Sequence, residues 1–227
     1  MPRPLILLMV AAPATVVVSL LVWRSVLLVF VLYHLGICLL LPTLIDLRRR
    51  RWSWGRHRRH VGLAGPGTAR AIGCGVLLAG ATGLAVRGAL IAAGDHLLAG
   101  DAVAAALARW GLESGHAPGL ILFMAVVNGP AEELFWRGFV AAELRPASGL
   151  AVRLLVPGLL YASYHAVTIP ALVPVPWLAA LMLATVFGAG VGWAWLRERT
   201  GSVWPALLSH GAATTAYMLF ARPSLPS

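Results

Sequence analysis

Residues 4 to 47 form an almost unbroken apolar run. A membrane-crossing helix needs roughly 20 such residues, so this run is too long for one span and suits two. The polar-aromatic step Trp23-Arg24-Ser25 is the expected turn between them. Only helices and closed barrels satisfy their backbone hydrogen bonds in lipid, and a run of this length without period-2 alternation selects helices.

The rest of the chain agrees. It is 59% hydrophobic and 11% charged, against about 25% charged in soluble domains, and its mean hydropathy is +0.83. The 227 residues accommodate about seven, at most eight, spans of roughly 20 residues and leave no room for a separate soluble domain. The expected fold is all-α, a polytopic integral membrane helical bundle. The first block, residues 1–116, holds N-terminal spans and a basic loop at 48–60. Residues 117–227 form the remaining spans of the same continuous membrane domain.

The net charge is +10 and every basic residue except histidine is arginine. Seven arginines fall between Arg48 and Arg59, directly after an apolar run, as expected of a cytoplasmic anchor under the positive-inside rule. Trp52 and Trp54 suit the interface beside it. Anionic lipid fits this patch, and nucleic acid is not the expected partner. With the N-terminus and this loop on the cytoplasmic side, Arg145, Arg153, Arg197 and Arg199 fall there too, while Arg24, Arg109 and Arg222 fall outside. The expected location is a bacterial cell membrane with a cytoplasmic N-terminus. Apolar sequence continues past Ala12-Pro13-Ala14, so the first segment reads as an uncleaved span rather than a signal peptide. Cys38 and Cys74 lie in apolar segments without metal spacing, which gives neither a disulfide framework nor a structural zinc site.

Further spans are expected at residues 71–99, 117–144 (interrupted at Gly129-Pro130, where proline suits a first turn), 150–169, 177–196 and 203–220. Residues 101–115 are less apolar and read as a short interfacial helix. Arg87, near the middle of the third span, calls for a buried partner or a route to water. Gly73, Gly75, Gly80, Gly83 and the Gly188-x-x-x-Gly192 pair are candidate close-packing positions.

The most telling polar residues are Glu132-Glu133-Leu134-Phe135-Trp136-Arg137, inside an apolar span. A charged side chain at the centre of a span costs at least ~2.5–3.5 kcal/mol on insertion scales and faces a partner or a cavity. Glu133 and Arg137 are four residues apart, hence on one helical face and able to pair. Glu132 is turned away by about 100° and is free to face a cavity. Tyr161 and His165 repeat this spacing in the next span, and His210 and Thr214 in the last, with Ser163 and Ser209 nearby. A glutamate can take a proton from water and an imidazole can help hold that water. A second imidazole with a hydroxyl can stabilise a carbonyl oxygen as it gains charge. The set fits acyl hydrolysis by activated water without a covalent intermediate. No His-Glu-x-x-His or Gly-x-Ser-x-Gly motif is present. No cofactor is expected, although Glu132, His165 and His210 also make up a two-histidine, one-glutamate zinc set.

The three motifs in order, Glu132-Glu133-x-x-x-Arg137, Tyr161-x-x-x-His165 and His210-x-x-x-Thr214, with Phe135, Gly138 and Phe139 beside the first, resemble the CPBP family of CAAX-protease and bacteriocin-processing membrane proteins, also called the Abi family. The resemblance covers roughly residues 118–221. It implies an intramembrane glutamate endopeptidase acting on a membrane-associated peptide or protein, prenylated substrates included. Glu132 would be the general base and His165 its partner in activating water. His210 would contribute to the oxyanion hole, and Glu133 and Arg137 would support the site. The family's last motif usually ends in Asn or Asp; Thr214 departs from it, and Tyr161 stands where Phe is more usual. The departure at 214 keeps open a non-catalytic immunity or scaffold role on the same fold. A proton- or ion-coupled transporter and a zinc-dependent protease are further alternatives. The oligomeric state is left open.

Overall fold

The computed structural model describes residues 3–93, 100–112 and 115–221. Residues 94–99 at the end of the third expected span, Glu113 and Arg222 lie outside the described residues. Ten helices and no strand occur among those described. They are α1 (Arg3–Leu21), α2 (Val26–Arg49), α3 (Trp54–His60), α4 (Thr68–Ala93), α5 (Gly100–Arg109), α6 (Ala117–Leu144), α7 (Leu150–Ser163), α8 (His165–Leu172), α9 (Pro176–Thr200) and α10 (Trp204–Ala221). The expected all-helical, polytopic bundle is what forms.

Helices α1, α2, α4, α6 and α9 are each long and apolar enough to cross a membrane. The pair α7–α8, bent by 46° at Tyr164, makes a sixth if it is one broken span. The seventh expected span, α10, forms as a helix but falls short on apolarity. Its polar side chains Ser209, His210, Thr214 and Thr215 explain this, and Ser209 and His210 are buried within the bundle. Helix α5 is not a span. It lays Val103, Ala106 and Leu107 into the bundle, and Trp110 just beyond it is buried too, so the expected interfacial helix packs closely on the core by one face.

The turn expected at Trp23-Arg24-Ser25 is present. Arg24 adopts a left-handed φ of 49°, Ser25 caps α2 by accepting from the Leu28 N–H, and the Val26 N–H donates to the Trp110 carbonyl. The opposite end of the bundle gathers the arginine-rich loop, the α6–α7 connection and the α9–α10 connection. There Arg50 makes a forked pair with Glu143 at 2.7 and 2.8 Å, and His60 Nε2 lies 3.0 Å from the same carboxylate. Fully buried Asp46 accepts from Arg50 and lies 2.8 Å from His57 Nδ1. Arg145 and Arg153 reach Glu198. The Val203 N–H and the Ser202 hydroxyl both donate to the Gly62 carbonyl. Three connections that the arginine distribution places on one side therefore meet at one end of the molecule.

Several expectations change in detail. The Gly129-Pro130 step neither breaks nor restarts α6. Proline removes an N–H from the ladder, and the helix absorbs the defect with wide, i→i+5 turns over Met124–Asn128 and Leu134–Val140. Among the described residues Arg87 finds no buried partner; it lies exposed on α4. The Gly188/Gly192 pair faces open space, and Gly190 between them makes the close contact, against Arg137 and Tyr161. On α4, Gly75 touches α10, whereas Gly73 and Gly80 have nothing near them. Both cysteines are free, Cys38 buried and Cys74 exposed.

In lipid, helices associate through close van der Waals packing rather than through the hydrophobic effect. A Cβ at Gly75 would sit 3.0 Å from the Trp204 carbonyl oxygen and 3.2 Å from Pro205 Cα. Gly75→Leu is expected to lower stability by about 1–3 kcal/mol through overpacking. Gly73→Leu on the open face should leave the thermal unfolding curve of the purified protein close to wild type.

Candidate active site

Helix α6 carries the charged cluster into the middle of the bundle. Glu132 is 2% exposed, and Glu133 and Arg137 are 0% exposed. The two carboxylates point apart, as their neighbouring positions dictate.

Glu133 Oε1 accepts from Arg137 Nη1 at 2.8 Å and lies 2.9 Å from His210 Nδ1. A carboxylate can only accept, so the His210 ring puts a proton on Nδ1. The Arg137 guanidinium lies over the Tyr161 ring at 4.6 Å and near the Trp193 ring at 5.3 Å; arginine planes favour such stacking. Gly190 leaves room for it, since a Cβ there would come within 2.8 Å of Arg137 Nη2. Trp193 also stacks on His210, with ring centroids 4.5 Å apart and an interplanar angle of 17°. Its indole N–H donates to Ser209 Oγ at 2.8 Å.

Glu132 is held by a different set. Trp136 Nε1 donates to Tyr33 Oη at 3.1 Å, Tyr33 Oη to Tyr164 Oη at 2.9 Å, and Tyr164 Oη to Glu132 Oε1 at 2.7 Å. Because a carboxylate can only accept, Tyr164 gives its single O–H proton to Glu132 and must accept from Tyr33, which fixes the direction of the chain. Such chains polarise one another toward the final acceptor. His34 Nε2 lies 3.6 Å from the same Oε1, and His210 Nε2 lies 3.7 Å from Oε2. The Asn128 amide is 2.8 Å from His34 Nε2.

These groups meet at one cavity of about 450 Å³. Glu132, Tyr161, Tyr164, His165, His210 and Thr214 line it, together with His34 and Asn128. Its remaining walls are largely apolar, with Val29, Phe30, Leu120, Ile169 and Val186 among them. The size and the few convergent polar groups are those of a small-ligand site.

All seven sequence-derived site residues therefore lie at or against one site, in different relations to it. Glu132, His165, His210, Thr214 and Tyr161 face the cavity. Glu133 and Arg137 lie behind it. His165 Nδ1 is engaged by the Tyr161 carbonyl of its own helix at 2.9 Å, and the ring nitrogens beside Glu132 belong to His34 and His210. Tyr161 reaches His210 Nε2 at 3.3 Å. The side-chain hydroxyls Ser163 and Ser209 bond backbone carbonyls. Among the described residues, no three His, Cys, Asp or Glu side chains are grouped as metal ligands.

Sequence reasoning missed Tyr33, His34, Asn128 and Tyr164. Two carried a usable signal: Asn128 is four residues before Glu132, and Tyr164 directly precedes His165. Tyr33 and His34 carried none, being isolated polar groups in an apolar span far from the motifs.

The bundle thus holds a buried carboxylate–imidazole site at the wall of an apolar cavity. The comparison with family models adds a likeness. Residues 114–216 match the family described as Type II CAAX prenyl endopeptidase Rce1-like. That segment is similar to the Rce1-like family, in line with the CPBP resemblance of its motifs. Searches of curated proteins and of solved structures give no match.

Opening a buried ion pair from one side leaves an uncompensated charge. Arg137→Ala is expected to destabilise the protein by roughly 3–5 kcal/mol. The reading is an early thermal unfolding transition, and a wild-type transition would show that the pair does not hold α6.

Proposed function

We propose that the chain is an integral-membrane endopeptidase that hydrolyses a peptide bond with water activated by Glu132, without a metal or other cofactor. The observation that supports this best is the fixing of Glu132 Oε1 by Tyr164 at the wall of a cavity that also holds His165 and His210. A carboxylate so held accepts a proton from water in the cavity, the hydroxide adds to the peptide carbonyl, and the proton passes to the departing amine. Water and the peptide become a carboxylic acid and an amine, so no covalent intermediate forms on the protein.

In this reading His165 orients the water. Its Nδ1 is engaged by the Tyr161 carbonyl, which leaves Nε2 for the cavity side of the ring. His210 and Thr214 receive the carbonyl oxygen as it gains charge. With its Nδ1 proton given to Glu133, His210 donates to an oxyanion only when Nε2 is protonated too. The Tyr161 hydroxyl beside Nε2 supplies a second donor. Glu133 and Arg137 hold His210 and the α6 backbone rather than touch substrate.

The substrate is a membrane-associated polypeptide, with a prenylated C-terminal tail favoured by the family and by the apolar cavity walls. The bilayer itself is the remaining partner. The arginine distribution supports a cytoplasmic N-terminus, with the end formed by the 48–60, 145–153 and 197–203 segments facing the cytoplasm of a bacterial cell.

A second reading, a non-catalytic partner on the same fold, is favoured by Thr214, whose hydroxyl reaches less far than an asparagine amide. Purified protein in lipid nanodiscs should cleave an internally quenched peptide ending in a farnesylated CAAX sequence. Glu132→Gln should abolish cleavage while leaving thermal unfolding within a few degrees of wild type; undiminished cleavage would rule out Glu132 as base. Losing one oxyanion donor costs about 10²–10³ in rate. Thr214→Asn should therefore raise kcat, whereas no cleavage by either form favours the non-catalytic role. Cleavage that persists in chelator, with no metal co-purifying, separates this mechanism from a zinc protease.

A further inference from the structure

The cavity beside Glu132 meets packed protein toward both ends of the bundle. Toward the arginine-rich end, Phe135, Trp136, Phe139 and Leu144 of α6 are buried, and Val61, just past α3, lies against Gly138. Toward the other end its walls are Val103 and Leu107 of α5 with Trp110, Leu112 and Leu120, all buried as well. Among the described residues that line the cavity, Thr185 of α9 is the exposed one. A side chain that both lines a cavity and reaches the surface marks its mouth. The lining is half-buried at Val186 on α9, at Thr82 and Val86 on α4, and at Ala213 and Thr214 on α10.

The helix packing frames an opening at that mouth. Toward the arginine-rich end, Trp193 of α9 stacks on His210 of α10 at 4.5 Å and donates to Ser209. Toward the opposite end, Leu90 of α4 packs in one apolar cluster with Leu178 and Ala179 of α9. Helix α10 runs along α4, with Gly75 against Trp204 and Pro205 and Gly83 facing Ala212. Helix α9 therefore touches the α4–α10 pair on either side of Thr185, and between these two contacts the cavity separates them. Thr185 lies near the middle of the 25-residue α9, itself long and apolar enough to cross a membrane, so the mouth faces hydrocarbon rather than water. The Thr185 hydroxyl is spent on the Leu181 carbonyl at 2.9 Å, so this side chain contributes size to the mouth rather than a free donor.

We propose that the substrate reaches Glu132 sideways from the lipid, through the window between α9 and the α4–α10 pair. The inference rests on the endopeptidase reading and narrows its substrate to a polypeptide whose cleaved segment already lies in the bilayer. Unpaired backbone polar groups are costly in hydrocarbon, so a hydrophilic peptide does not come to such a mouth. A tail carried into the membrane by an apolar anchor diffuses to it within the plane of the bilayer. Thr214 lies on the frame and half-buried His165 lines the same cavity, so a chain that passes the window meets the reacting groups as it enters. Helix α4 lies outside the matched segment 114–216, and one side of the entrance is therefore built by the part of the chain that the family likeness does not reach.

The test uses full-length protein in nanodiscs with the same farnesylated quenched peptide. Thr185→Trp narrows the window from α9 and Thr82→Trp narrows it from α4. Each is expected to lower kcat/KM at least about tenfold, with the unfolding temperature within a few degrees of wild type. Thr185→Val keeps the size and loses the hydroxyl, and should stay within about twofold of wild type. Leu181→Trp and Leu84→Trp place the same bulk at exposed positions of α9 and α4 that do not line the cavity, and should also stay within about twofold. Wild-type kcat/KM in both window variants overturns the lateral route and leaves the endopeptidase reading intact. So does cleavage of the peptide without its farnesyl group, if it is as efficient as with it and indifferent to Thr185→Trp. A benzophenone-bearing farnesylated peptide, photocrosslinked to the Glu132→Gln protein, reads the same window without catalysis, and adding Thr185→Trp should cut the labelling about tenfold. If the wild-type protein cleaves neither peptide, the endopeptidase reading falls, and the route is decided by that labelling: absent or undiminished labelling overturns it.

Discussion

One carboxylate oxygen, Glu133 Oε1, ties the bundle together. It receives Arg137 from its own helix and His210 from α10. The guanidinium it holds lies over Tyr161 of α7 and beside Trp193 of α9. Four helices therefore converge on a single ion pair buried from solvent. Isolated, either charge would be prohibitively placed in such surroundings. Paired, stacked and bonded to an imidazole, they become a fixed reference about which the neighbouring helices are set. Arg197 adds a further tie by donating from Nε to the Arg137 carbonyl. The close passage of α9 at Gly190 and the stacking of Trp193 on His210 both depend on where that guanidinium sits.

The second carboxylate depends on this frame but answers to other residues. Its orientation is set by the one-way chain from Trp136 through Tyr33 and Tyr164. The division of labour between adjacent glutamates thus has a plain geometric origin. Neighbouring positions on a helix face different directions, and here one direction leads into packed protein and the other into the cavity.

Much of this was legible in the sequence, because the signals were strong and local. The length of the first apolar run gave two spans, and Trp23-Arg24-Ser25 gave their turn. The four-residue spacing of Glu133 and Arg137 gave their pair. The expectation that Glu132 points away from that pair also holds. The failures have separate physical causes. Spacing arguments assume 3.6 residues per turn, whereas Val29–Leu40, Met124–Asn128 and Leu134–Val140 are wound in wider turns, which shift the phase of everything beyond them. Tyr33 and His34 lie in one such stretch and Asn128 ends another, and none of the three was anticipated. Gly190 was passed over for Gly188 and Gly192 because a small-x-x-x-small pattern records which residues are small, not which face meets a neighbour. Tyr164, at the bend between α7 and α8, makes the direct bond to Glu132 and was not anticipated either.

The donor chain to Glu132 also bears on how such a protein can be made. Synthesis proceeds from the N-terminus, so α2, which ends at Arg49, is complete about eighty residues before Glu132 leaves the ribosome. Tyr33 and His34 are thus already in existence when the glutamates arrive, and Trp136 and Arg137 follow them within the same helix. Tyr164 and His210 come last and close the arrangement. The costliest residues in the chain are flanked in time, as they are in space, by groups able to receive them.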